Sequence, residues 1–113
     1  MVSILIVEDD KEIQDLYRLS LNGKIEIIPA FTIQDAEEKF SLARSDIVAV
    51  VVDGCMSSDE PNTVPLVKRL RKIFDGPIIA TSSIHNEKLV AAGCDFKCDK
   101  LNLPRTIQSI FGL

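Results

Sequence analysis

Two patterns alternate along this chain, and the alternation constrains its fold more than any other feature. Short apolar runs rich in β-branched residues occupy Ser3–Val7, 24–28, Ile47–Val52, 78–81 and 96–98. Runs that are apolar at nearly every position are the mark of strands buried on both faces. Between them lie segments with helical spacing. Ile13, Leu16, Tyr17 and Leu21 recur at helical intervals, with Gly23 where a C-terminal cap belongs. Thr32 and Asp35 resemble a capping box opening a helix through Ala36, Phe40 and Ala43. Asn62 or Thr63 caps a third helix, with Pro65 in its first turn and Leu66, Val67, Leu70, Ile73 and Phe74 inward. Asn86 starts a short fourth helix through Leu89 and Val90, stopped by Gly93. Asn102 caps a fifth, with Pro104 early and Ile107, Ile110 and Phe111 inward. Five βα units predict an α/β fold, a parallel sheet covered by helices on both faces.

The 113 residues suit one domain and leave no room for a second. At 46% hydrophobic and 27% charged, the chain has enough apolar surface to avoid disorder. A formal net charge of -4 argues against nucleic acid, which needs a basic stripe. The run Lys68-Arg69-Leu70-Arg71-Lys72 reads as the solvated face of the third helix. Three cysteines, Cys55, Cys94 and Cys98, are an odd number without a disulfide pattern, which predicts a reduced, cytoplasmic setting. With His85 they fit no common zinc spacing, and Cys98 reads as core. No stretch approaches the roughly 20 apolar residues of a membrane span.

The strands end on chemistry. The first runs into Glu8-Asp9-Asp10, the third into Asp53, the fourth into Thr81-Ser82-Ser83, and the fifth leads to Asp99-Lys100. In an open parallel sheet, ligands bind outside the carboxyl ends of the strands. Acids after a strand also complement a helix N-terminus, and Asp53 alone could start a turn. If the first and third strands are neighbours, however, Glu8, Asp9 and Asp53 converge. Carboxylates about 4 Å apart repel by several kcal/mol at an effective dielectric near 20. Such a site wants a hard divalent cation, and Mg²⁺ fits it. Aspartate can also act as a nucleophile and form an aspartyl phosphate. Ser82 and Lys100 each have ordinary roles, as a loop serine and a surface lysine. Together they supply a hydroxyl and an ammonium for phosphoryl oxygens.

With Ile4-Leu5-Ile6-Val7-Glu8-Asp9-Asp10, Val51-Val52-Asp53 followed by Met56, Pro77 to Ser83, Gly93 and Lys100, the sequence resembles a response-regulator receiver domain over nearly its whole length. The resemblance implies a flavodoxin-like (βα)5, doubly wound, five-stranded parallel sheet of order 2-1-3-4-5. It implies a single receiver domain over 1–113, without an output domain. Asp53 would be the phosphoacceptor, and Glu8, Asp9, Asp53 and the Cys55 backbone carbonyl would hold Mg²⁺. Ser82 would move toward the phosphoryl group, Ser83 would leave access to it, and Lys100 would pair with it; Asp10 would stand just behind the metal pair. The implied partners are a histidine kinase or histidine phosphotransfer protein upstream. Downstream, a protein would dock on the fourth helix, fifth strand and fifth helix. Such a domain is no enzyme beyond its own phosphorylation and dephosphorylation.

The sequence departs from the family pattern around that docking surface. Leu101 follows Lys100 where proline with a cis bond is usual, which predicts a trans bond here. Lys97 stands where the family carries an aromatic switch, with Phe96 beside it; either Phe96 serves, or the switch is absent. Ser57 replaces a proline, Thr63 stands near a usual glycine, the loop after Asp53 is about two residues longer than the common form, and 84–92 is about three residues shorter. These departures motivate a rival, a receiver-like binding module independent of phosphorylation. A flavodoxin-type cofactor binder would need a phosphate loop after the first strand, where three acids repel phosphate.

Overall fold

The structure, a computed structural model, describes residues 2–56, 62–82 and 84–113. Strands β1 (Ser3–Val7), β2 (Glu26–Ala30), β3 (Ile47–Val52), β4 (Ile78–Ala80) and β5 (Phe96–Lys97) alternate with helices α1 (Lys11–Ser20), α2 (Ile33–Ala43), α3 (Val64–Ile73), α4 (Asn86–Ala92) and α5 (Leu103–Phe111). The strands form one sheet in the order β2-β1-β3-β4-β5, and every pairing is parallel. The flavodoxin-like α/β expectation holds in both strand order and direction.

Strand parity divides the core into two layers. Ile4, Ile6, Ala49, Val51 and Ile79 face one way and meet Tyr17 and Leu21 of the α1 side with Leu103 and Ile107 of α5. Leu5, Val7, Val50, Val52, Ile78 and Ala80 face the other way, onto Ala36 and Phe40 of α2, Leu66, Val67 and Leu70 of α3, and Leu89 of α4. All of β1 and β4 is buried. At about 1.5–3 kcal/mol per fully buried large aliphatic side chain, these two layers hold the sheet in register.

Local details refine several expectations. The second strand lies two residues later than its β-branched run suggests, because pairing with β1 carries it through Pro29, opposite Ile6. Proline is tolerated there because β2 is an edge strand, where a missing N–H need not break a ladder. On α1, Gln14 is 3% exposed and Leu16 is 45% exposed, so the inward stripe is Gln14, Tyr17 and Leu21. Thr32 accepts from the Asp35 amide while Asp35 accepts from the Phe31 amide, a variant of the expected box. Ile73 is 48% exposed rather than inward. Ile110 and Phe111 are only partly buried, packed at the margin of the α1–α5 layer.

Arg71 corrects the reading of the basic run as wholly solvated. Lys68, Arg69 and Lys72 are exposed, but the Arg71 guanidinium donates to the carbonyls of Phe74, Gly76 and Gly93 and pairs with Asp95 at 2.8 Å. It joins the end of α3, the start of β4 and the end of α4. Gly93 is required twice over: its φ is +137°, and an added Cβ would lie 3.0 Å from Arg71 Cδ.

The fourth helix is short, as expected, at seven residues. The peptide bonds of the described residues are trans, Lys100–Leu101 included, and Lys100–Asn102 forms a 3-10 turn leading into α5. Ser57, Ser83 and the extra length of the loop after Asp53 lie outside the described residues.

Candidate functional site

The sheet builds the site by extending its pairing one residue past the strands. The Glu8 amide donates to the Ala30 carbonyl, Asp53 to Val7, Thr81 to Val52 and Cys98 to Ala80, at 2.9–3.1 Å. These backbone bonds place the first polar residue after each strand side by side along the carboxyl edge. Glu8, Asp9 and Asp53 each offer a carboxylate oxygen, and these oxygens lie within 4.8 Å of one another. Glu8 is 1% and Asp53 5% exposed. Lys100 reaches in from beyond β5, with Nζ 2.8 Å from Glu8 Oε1 and 3.2 Å from Asp53 Oδ2.

The electrostatics follow from that crowding. Burial pushes the Glu8 carboxyl up from 4.5 to about 7; the Lys100 ammonium opposes the rise and the neighbouring Asp53 charge adds to it. Burial works against the Lys100 ammonium too, yet the carboxylates of Glu8 and Asp53 raise its pKa overall. Lys100 thus pairs with two carboxylates of the cluster, and a third, Asp9, lies beside them. The donor set is all oxygen and includes two buried carboxylates, so the residues present fit a hard divalent cation such as Mg²⁺.

Ser82 follows β4 and lies against Gly54, the residue after Asp53. It is 4% exposed, and its Oγ lies 2.7 Å from where a Cβ on Gly54 would be. A side chain at 54 would therefore displace Ser82, and glycine permits the close approach. The Cys55 amide points back at Asp53 Oδ1, at 3.5 Å. Asp10 stands next to the acids without adding an oxygen to their cluster. It is the N-cap of α1, accepting from the Glu12 and Ile13 amides, while its own amide donates to Glu8 Oε2 at 3.1 Å.

Four residues support the site in ways the sequence reading missed. Gln14 Nε2 donates to the Ile6 and Glu8 carbonyls at 2.9 and 3.1 Å, pinning the turn into the acids. Its signal was a polar residue on the apolar stripe of α1. Thr63, expected as a helix cap or a glycine substitute, makes no side-chain cap; its buried hydroxyl reaches the Asp53 carbonyl at 2.7 Å and the Gly54 carbonyl at 3.0 Å. Tyr17, read from the sequence as one of the helical-interval positions of α1, is 1% exposed and donates to the Lys100 carbonyl at 2.9 Å, across 83 residues of chain. Asn86, expected only as a helix start, binds the Ser82 amide and the Cys98 carbonyl.

At the aromatic position both side chains face solvent. Phe96 is 42% exposed, and Lys97 is exposed and paired with Glu87 of α4.

No family model matches the sequence, and no curated protein does either. Solved structures do resemble it. A two-component response regulator from Clostridium difficile aligns with a TM-score of 0.81 and 21% identity, covering 99% of this chain and 97% of that one. The Vibrio cholerae chemotaxis protein CheY4 gives 0.78 and 22%, with coverage of 99% and 97%. The beryllofluoride-activated receiver domain of Klebsiella pneumoniae RstA gives 0.78 and 21%, with coverage of 97% and 95%. The chain therefore has the fold of response-regulator receiver domains.

Proposed function

We infer that this chain is a phosphoacceptor receiver of two-component signalling. The observation that carries the reading is Lys100 Nζ bridging Glu8 and Asp53 where three carboxylates meet at the carboxyl edge of the sheet. A structural ion pair would not need a third carboxylate.

An Asp53 carboxylate oxygen attacks the phosphorus of a phosphohistidine on a histidine kinase or histidine phosphotransfer protein. A P–O bond forms as the P–N bond breaks, and the bonding pair returns to the imidazole nitrogen of the donor. Glu8, Asp9, Asp53 and the Cys55 backbone carbonyl would hold Mg²⁺, which supplies positive charge that neutralises the transferring phosphoryl oxygens. Lys100, already beside Asp53, shifts from the carboxylates to the new phosphoryl group. Ser82 turns its hydroxyl to the same group. The product is a mixed anhydride at Asp53, and hydrolysis of it resets the domain.

The downstream surface is α4, β5 and α5, where Val90 of α4, Phe96 of β5 and Leu101 in the turn before α5 are exposed. A protein partner in the cytoplasm would read it; no helix among the described residues is long and apolar enough to cross a membrane. The exposed Phe96 and the Lys97–Glu87 pair also suit the rival reading, a binding module indifferent to phosphorylation. Acetyl phosphate with Mg²⁺ separates the two. Uptake of one phosphoryl group per chain, abolished by chelator, supports the receiver. No uptake, together with no Mg²⁺ binding by calorimetry, leaves the binding module.

A further inference from the structure

Ser82 is held by two separate bonds to the start of α4. Its backbone N–H donates to Asn86 Oδ1 at 2.8 Å, and its Oγ accepts from the His85 N–H at 3.2 Å. Asn86 then uses its other half. Nδ2 donates to the Cys98 carbonyl at 3.2 Å, at the end of β5 and two residues before Lys100. One side-chain amide thus joins the end of β4 to the end of β5 and sits on the first residue of α4.

Only a side chain with an acceptor and a donor at one branch point can make both contacts. Alanine makes neither. Aspartate can keep the bond from the Ser82 amide but has no hydrogen for Cys98. The contact lies just past the strand that carries the exposed Phe96 and Lys97, the latter paired with Glu87.

We propose that Asn86 is the positioning residue that couples Ser82 to the β5–Lys100 segment. This rests on the phosphoacceptor reading. In the resting chain the His85 amide occupies Ser82 Oγ. When Ser82 turns to a phosphoryl group on Asp53, it gives up that amide and frees the first turn of α4. Asn86 stays bonded to the Ser82 backbone, so it carries the displacement to the Cys98 carbonyl. The strand end that bears Lys100 therefore moves together with the helix start.

Amide hydrogen exchange on the full chain, with and without acetyl phosphate and Mg²⁺, tests this in the unsubstituted protein, Asn86→Asp and Asn86→Ala. Without the donor, the Ser82 amide exchanges about fivefold faster in Asn86→Ala, the loss of one net hydrogen bond, and near the unsubstituted rate in Asn86→Asp. With the donor, all three take up one phosphoryl group by mass. Exchange over 96–102 then changes in the unsubstituted chain and stays unchanged in both variants. An undiminished response at 96–102 in phosphorylated Asn86→Asp overturns the coupling and leaves the phosphoacceptor reading standing. So does the absence of any response there in the phosphorylated unsubstituted chain. Failure of the unsubstituted chain to take up a phosphoryl group overturns the phosphoacceptor reading, and the coupling with it. Global loss of protection in Asn86→Ala identifies a folding failure, and Asn86→Asp alone then decides.

Discussion

The two halves of the sheet's carboxyl edge are built differently. At the β1–β3 side, strands of five and six residues pair along their length, and Glu8 and Asp53, which follow them, are buried with their backbone carbonyls held by Gln14 and Thr63. At the β4–β5 side, strands of three and two residues carry the edge, β5 is exposed, and side-chain bonds supplement a short ladder in tying the ends together. Long buried strands fix charges against their mutual repulsion. Short strands held by a few side-chain bonds leave an edge that can take two positions at small cost. On the proposed function, the difference puts the nucleophile and the metal-binding acids in the first region, and Ser82, Lys100 and the response in the second.

The strongest way to break this division is Asp53→Ala. It removes the nucleophile and should abolish phosphoryl uptake from acetyl phosphate entirely, with the fold retained by circular dichroism. Uptake that survives would move the chemistry elsewhere.

Glu8→Gln comes next and probes the buried acids twice. Phosphoryl uptake at fixed Mg²⁺ should fall by at least about tenfold, as for loss of a metal-orienting group. The same substitution should flatten a pH dependence of stability measured in chelator. The folded Glu8 carboxyl sits at about 7 against an ordinary 4.5. Between those values the folded chain holds a proton that the unfolded chain has released. The contribution of this group is thus most favourable below about 4.5 and declines as pH rises to about 7. Thermal melts across that window should show the decline in the unsubstituted protein and lose it in Glu8→Gln.

On the responsive side, Arg71→Ala removes three carbonyl contacts and an ion pair from a side chain 27% exposed. Denaturant unfolding should show a loss of about 2 kcal/mol, with exchange rising first over α4 and β5. An equal rise over β1 and β3 would erase the distinction between the two regions. Lys97→Ala should be the mildest. Its partner Glu87 is 82% exposed, so stability should change by less than about 0.5 kcal/mol and phosphoryl uptake not at all.

The sequence made the β1–β3 half legible and the other half much less so, for physical reasons. Strands buried on both faces write themselves as unbroken runs of Ile and Val, so Ser3–Val7 and Ile47–Val52 were located to the residue. The acids that end them were visible because nothing in an apolar strand explains a carboxylate. A strand two residues long has no periodicity to read, and an edge strand admits Pro29, so β5 and β2 were displaced at their ends. Gln14, Thr63, Arg71 and Asn86 act through side-chain hydrogen bonds to backbone atoms of neighbouring elements, and no local pattern announces such a bond. Their residue types fit a helix face or a cap equally well. Asp10 shows the converse, since the run Glu8-Asp9-Asp10 reads as one acidic cluster while its last member caps α1.

Site mapping tests the central claim most directly. The protein is treated with acetyl phosphate and Mg²⁺, reduced with borohydride, which converts an aspartyl phosphate to homoserine, and sequenced by tandem mass spectrometry. The account predicts homoserine at position 53 and intact acids at Glu8 and Asp9. Homoserine at either of those positions, or an unmodified Asp53 in a phosphorylated chain, would contradict it.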